Sequence, residues 1–161
     1  VPRFLEQARN GDKLTVTNKL MSRFAMSLEN AFELLEYALF YGNSGETIIQ
    51  KSKSLKIVDL ALAVLKILKK KPNQIKFIGI RHGEKIDEVL ASEEEMSRAT
   101  IKKNYIIIKR DERNLNYEKY FDTGKSFKIE QAYRSGSEEK INIKEIIKIL
   151  SKEPIIKKYL S

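Results

Sequence analysis

Ile75-Lys76-Phe77-Ile78-Gly79-Ile80-Arg81-His82-Gly83-Glu84-Lys85 is the stretch on which the reading of this chain turns. The apolar, β-branched run over 75–80 predicts a buried strand. The abrupt change at Arg81-His82-Gly83 predicts a charged loop at the carboxyl end of that strand, with a helix from about Glu84. Upstream, Lys69, Lys70 and Lys71 precede Pro72. Three cations on the carbonyl end of a helix, followed by a residue that cannot continue it, form a stop signal. The helix so ended carries Leu55, Val58, Leu62, Leu65 and Leu68 on its apolar positions, with Ser54 as its N-cap.

The same alternation of periods extends outward. Residues 2–9 read as a helix stopped by Asn10-Gly11, and residues 13–17 as a strand. Residues 24–26 are a shorter strand candidate. Leu28, Ala31, Phe32, Leu35, Ala38 and Leu39 share one helical face, with Ser27 as N-cap and Glu29 near the positive end of the dipole. Gly42 and Gly45 break that helix, and residues 46–50 read as a strand. Beyond the loop, Glu93, Glu94 and Glu95 form an acidic stretch. Residues 105–109 read as a strand, residues 115–131 are weakly patterned, and Asn142 with Glu145 makes a capping-box start. Ile143, Ile146, Ile147 and Leu150 then line one helical stripe. There is no internal repeat. The predicted fold class is α/β, of mixed helices and short strands.

Composition bounds the chemistry. The 161 residues, 42% hydrophobic, suffice for a packed core. No cysteine is present, which excludes a disulfide scaffold, a thiolate metal site and a cysteine nucleophile. His82 is the single histidine, so no multi-histidine metal site exists and no metal site is expected. No apolar run approaches the roughly 18 residues that span a bilayer, no signal peptide opens the chain, and no membrane partner is expected. The first residue is Val1, so a processed product or fragment is expected, cytoplasmic in location.

Thirty-one Lys and Arg against 22 Asp and Glu give +9. Residues 51–76 hold eight lysines and one acid, Asp59. A phosphate or nucleic-acid surface is one reading of that stretch. A solvated helix face is the other, and the absence of stacking aromatics there favours it. Gly124-Lys125-Ser126 copies the tail of a P-loop, but Lys119 stands where the motif needs glycine. Tyr105 and Lys109 have the Tyr-x-x-x-Lys spacing of a dehydrogenase pair. That chemistry needs a helix; on a strand the two lie roughly 13 Å apart, at about 3.3 Å per residue.

Arg81-His82-Gly83-Glu84 resembles the opening motif of histidine phosphatases, which need a second histidine. This chain has only His82, and about half the chain precedes it. The longer string Ile78-Gly79-Ile80-Arg81-His82-Gly83-Glu84-Lys85 resembles the I-G-I-R-P-G-E-K loop of sugar-nucleotide dehydratases and epimerases. These are extended short-chain dehydrogenase/reductase enzymes of capsule and O-antigen polysaccharide biosynthesis. Val1-Pro2-Arg3-Phe4 with Leu14-Thr15-Val16-Thr17 resembles that family's V-P-x-F … L-T-V-T segment. Met21-Ser22-Arg23-Phe24-Ala25-Met26-Ser27 is similar to its M-T-R-F-x-M-T, and Lys56-Ile57-Val58-Asp59-Leu60-Ala61 matches its K-I-V-D-L-A. Residues 133–143 are similar to the tail of the UDP-N-acetylglucosamine 4,6-dehydratase/5-epimerase branch. The strings occur in order from Val1 to about Leu150.

The resemblance implies the substrate-binding C-terminal portion of such an enzyme. It implies residues 1–103 as a UDP-sugar-binding lobe and 104–161 as a C-terminal extension. Arg81 and Arg23 are implied as bidentate clamps on the UDP diphosphate, Glu84 as acceptor for ribose hydroxyls, and Thr15 and Val16 as backbone partners of uracil. Three departures stand out: His82 replaces the usual Pro, Asp87 a common His, and Asn18-Lys19 a common Asp-Pro. The Gly-x-x-Gly-x-x-Gly dinucleotide fingerprint is absent, so NADP and the hydride chemistry belong to a missing Rossmann half. No catalytic residue is expected here, and the chain alone is not expected to be active. The first helix and the strand at 46–50 would pack on that half. The intact enzyme would oxidise the sugar at C4, eliminate water across C5 and C6, and return the hydride. A UDP-sugar and a homo-oligomeric partner are implied. The alternative is a non-enzymatic basic module for nucleic acid or an acidic partner.

Overall fold

The computed structural model describes residues 1–110 and 131–160. In chain order, α1 is Pro2–Arg9, β1 Leu14–Val16, β2 Ser22–Phe24, α2 Leu28–Tyr41, β3 Thr47–Gln50 and β4 Ser54–Lys56. Then come α3 Ile57–Ile67, a 3-10 turn at Pro72–Gln74, β5 Ile75–Phe77, β6 Val89–Ala91, α4 Glu93–Ser97, β7 Ala99–Ile101 and β8 Tyr105–Ile108. The last three are β9 Tyr133–Arg134, α5 Ile143–Leu150 and α6 Pro154–Leu160. The mixed α/β class is as expected. Residues 124–126, and the weakly patterned 115–131 except its last residue, lie outside the described residues. Among the described residues no helix is long and apolar enough to cross a membrane.

Two compact units are interleaved in sequence, and residues on both sides of position 103 contribute to each. The first comprises Val1–Ala25, Lys53–Glu88 and Ser135–Ser161; the second comprises Met26–Ser52 and Val89–Arg134. In the first, β1 pairs with β5 in parallel and β2 pairs with β4 antiparallel. Its core joins Phe4, Leu5 and Ala8 of α1 to Ala61, Val64 and Leu65 of α3, Ile146 of α5 and Ile156 of α6. The first helix buries Phe4, Leu5 and Ala8 inside this unit. In the second unit β3, β8 and β7 form an antiparallel sheet centred on β8, and β6 pairs with β9. Tyr37 of α2 stacks on Tyr105 of β8, centroids 3.9 Å apart.

Several expected boundaries move, each for a local reason. Ser54 caps no helix. It is fully buried, and its Oγ donates to the carbonyls of Glu138 and Glu139. Residues 54–56 thus become a strand, and α3 starts at Ile57. The candidate strand at 24–26 forms two residues earlier, where Arg23 faces Leu55. The run at 75–80 is a strand only to Phe77. β5 has one partner strand, and Phe77 and Ile80 are 42% and 50% exposed. The expected helix from Glu84 is absent, for reasons given with the site. The acidic stretch instead forms the first turn of α4, under a Ser92–Glu95 capping box. The predicted buried stripe of α2 is bare: Leu28, Phe32, Leu35 and Leu39 are all exposed, and no residue of the helix is buried. The helix meets its sheet through Tyr37 instead.

The lysine stop ends α3 by an unusual route. The Lys70 N–H bonds to the Leu65 carbonyl at 2.8 Å and the Lys69 N–H to that of Lys66 at 3.2 Å. This is the Schellman pattern, whose left-handed position normally holds glycine. Here it holds Lys69, at φ 54°. An L-residue there costs about 1 kcal/mol. Lys69→Gly is therefore expected to raise unfolding free energy by about 0.5–1 kcal/mol in urea titration. An unchanged or lower midpoint would contradict the strain.

Candidate functional site

The site lies wholly in the first unit, on the loop after β5. Gly79 and Gly83 both take positive φ, 81° and 77°. Glu84 N–H donates to the Arg81 carbonyl at 3.0 Å. With Gly83 as third residue, this closure is what a type II turn requires, and its second position, here His82, is one that proline favours. Glu84 then locks the turn with its side chain. One carboxylate oxygen accepts from the Arg81 backbone N–H at 3.2 Å, the other from the Thr17 hydroxyl at 3.0 Å. The Arg81 N–H bond, then Thr17, then the positive charges of Arg81 and Arg23 hold the Glu84 carboxyl below its ordinary value.

Arg23 approaches the same loop from β2. Its Nη1 donates to the carbonyls of Ser22 and Ile86 at 2.6 and 3.0 Å, and its Nη2 to that of Lys85 at 2.9 Å. Its Nε pairs with Glu88 at 3.1 Å. These contacts capture the carbonyls of residues 85 and 86 that a helix from Glu84 would need, which is why the loop stays irregular. Only one guanidinium N–H remains uncommitted. Arg81 is the opposite case. It is exposed, and among the described residues its guanidinium has no hydrogen-bond or ion-pair partner.

Thr15 and Val16 lie on β1 beside this loop. The Thr15 N–H and hydroxyl are both taken by the Gln7 side chain, and the Val16 carbonyl accepts from Ile78 N–H at 3.0 Å. Val16 is buried and its carbonyl is committed to Ile78, so its side chain is closed to a ligand.

A second set of residues, not anticipated from sequence, fixes the far end of the loop. Ser22 Oγ donates to Asp87 at 2.8 Å and lies 2.7 Å from Ser135 Oγ. Ser135 Oγ accepts from Glu88 N–H and donates to the Ser22 carbonyl. Both serines are buried. Asp87, at the position where the resemblance puts His, thus holds structure rather than a free ring. Gly136 is pinned against it: a Cβ there would come 2.2 Å from the Asp87 carboxylate. The Lys140 ammonium gathers the carbonyls of Ser135, Gly136 and Glu138. The Ser135-Gly136-Ser137 turn signal was visible in the sequence, but its partner across the fold was not.

The Tyr-x-x-x-Lys pair is settled by the backbone. Tyr105 opens β8, a strand, so the helical side-by-side geometry is not formed. Among the described residues no three His, Cys, Asp or Glu side chains converge as a metal site.

Comparison with known proteins is consistent along the whole chain. Residues 1–110 match the family model described as polysaccharide biosynthesis protein, and residues 111–157 match that of the polysaccharide biosynthesis protein C-terminal region. A UDP-glucose 4-epimerase of Rickettsia rickettsii (strain Sheila Smith) is 41% identical over 151 residues, covering 93% of this chain and 44% of its own. That of Rickettsia prowazekii (strain Madrid E) is also 41% identical, with the same coverage. The X-ray structure of Pen from Bacillus thuringiensis matches with TM-score 0.76 and 28% identity, over 96% of this chain and 44% of that one. The chain spans less than half the length of these relatives.

Two outcomes follow for the loop. Ser135→Ala removes the acceptor of Glu88 N–H and a buried donor, and should lower unfolding free energy by about 1–3 kcal/mol in urea titration. The Glu84 tethers should hold above pH 4.5, its ordinary value, and be lost as pH falls through its lower folded value. The Arg81 amide proton should report this by NMR, with a titration absent in Glu84→Gln. A midpoint above 4.5 would contradict the lowered carboxyl.

Proposed function

The chain belongs to the polysaccharide biosynthesis protein family, and from that premise we propose that it is the UDP-holding part of a nucleotide-sugar 4,6-dehydratase/epimerase. One observation carries the reading. Arg81 is an unpartnered, always-charged bidentate fork on a loop whose backbone is fixed from both ends. A guanidinium left free on a loop of fixed backbone suits a diphosphate, because no backbone ordering is needed and no standing ion pair is broken on binding. Arg23 acts mainly as the brace of that loop, with one N–H still able to reach the ligand. Glu84 keeps lone pairs for a ribose hydroxyl while bracing the turn. The backbone of Thr15 and Val16 is the edge we assign to uracil.

The residues present do not fit a nicotinamide dinucleotide. The sequence has no glycine-rich fingerprint, and Tyr105 lies on a strand. We therefore assign NADP, the hydride step and all catalytic residues to the rest of a longer polypeptide. Relatives more than twice the length of the matched region support this. The bare stripe Leu28, Phe32, Leu35 and Leu39 on α2 is where we place the contact with that remainder. Within this reading, holding the UDP handle orients the sugar ring for chemistry supplied elsewhere.

Isothermal titration of the full-length protein with UDP tests the assignment. Arg81→Ala should weaken binding about ten- to a hundredfold, equivalent to about 1.5–3 kcal/mol for a charge-assisted pair. Unchanged affinity would sink it.

A further inference from the structure

The first unit carries a second cluster of cations that the UDP reading does not use. Net charge is not shared between the units. The first holds 20 Lys and Arg against 10 Asp and Glu, the second 11 against 12. The excess is concentrated where α1, α3 and α6 end together. A groove of about 890 Å³ is lined there by Leu5, Ala8, Arg9, Ile67, Leu68, Lys69, Lys70, Lys158 and Tyr159. Its floor is apolar, its rim carries four cations, and among the described residues no carboxylate lines it.

Dipole complementation accounts for part of this. The Lys70 ammonium bonds the Ala8 carbonyl at the end of α1, as a cation at a helix C-terminus should. Lys69, one residue past the cap of α3, complements that helix by charge alone and not by a bond to a carbonyl. Among the described residues the Lys69 ammonium has no hydrogen-bond or ion-pair partner. Its backbone sits at φ 54°, in a Schellman position that glycine fills without strain. An uncommon backbone conformation retained at the mouth of a groove points from the outlier to a role for the side chain.

We propose that this groove is a separate binding site for an amphipathic phosphate: a phosphate or pyrophosphate group held by Arg9, Lys69 and Lys158, carrying an apolar body against Ile67, Leu68 and Tyr159. Both halves of the ligand have a counterpart in the lining, and the groove lies within the usual size of small-ligand sites. Arg9 lies before β1, at the opposite end of that strand from Thr17 and the Glu84 loop, so the two sites are distinct. The ligand's source is either a soluble phosphorylated amphiphile or the headgroup of a phospholipid.

Titrating the full-length protein with dodecyl phosphate, inorganic phosphate and phosphatidic acid vesicles tests this. Dodecyl phosphate should bind saturably and about tenfold or more tighter than inorganic phosphate. Lys69→Gly and Lys158→Ala should each weaken it about three- to tenfold, for the loss of one partly exposed ion contact. Lys69→Gly should do so without lowering the melting temperature, which separates ligand contact from structural damage. Arg81→Ala should leave dodecyl phosphate binding unchanged while weakening UDP. Vesicle binding that Lys69→Gly also weakens would identify a lipid source; binding of dodecyl phosphate alone would identify a soluble one. Absence of saturable binding, wild-type affinity in both lysine variants, or equal loss in Arg81→Ala would overturn the proposal.

Discussion

Two buried hydroxyls 2.7 Å apart, on Ser22 and Ser135, fix where the functional loop can be. A hydroxyl out of water must find partners or cost stability. The Ser22 proton goes to the Asp87 carboxylate and the Ser135 proton to the Ser22 carbonyl, while Ser135 Oγ accepts from the Glu88 N–H. Arg23 takes the carbonyls just before, and Glu84 closes the turn before those. The loop over 81–88 is thus held at nearly every step, although none of it is helix or strand. Among the described residues, the guanidinium of Arg81 at its start has no hydrogen-bond or ion-pair partner.

That division of labour distinguishes the two arginines more sharply than their charges do. Both are always protonated, and both stand beside Glu84. Arg23 is spent mainly on backbone oxygen, which makes it first a brace of the loop. The acid serves the turn first, and its lowered affinity for protons follows from donors aimed at it. A pre-organised loop of this kind arises from polar contacts to backbone, not from apolar packing, which explains how it can be exposed and still ordered.

Legibility from sequence followed the range of the interactions. The capping box of α5, the Asn10-Gly11 stop and the strand at 105–108 depend on near neighbours, and the pattern showed them; the Ser92–Glu95 box of α4 has the same short range and was missed. The Arg81-His82-Gly83-Glu84 loop stood out through its resemblance to a family motif, and its turn was legible in Gly83. What could not be read were the long-range partners. Ser54 looks like an N-cap until Glu138 and Glu139 claim its hydroxyl. Arg23 looks like a free clamp until the carbonyls of 85 and 86 appear before it. The stripe on α2 has the period of a buried face, but periodicity states only that a face is apolar, not that anything in this chain covers it.

The span of the Ser22–Ser135 link has a kinetic meaning. It joins positions 113 apart in the chain, and a loop of that size is closed only against a large entropic cost. Local helices and the β7–β8 hairpin can form on their own; the pairing of Ser22 with Ser135 waits for the intervening chain to be laid down. The loop over 81–88 is therefore among the last parts to be organised. During refolding, helical signal should return before ligand-binding competence does, and the interval between them reads out the closing of this one polar lock.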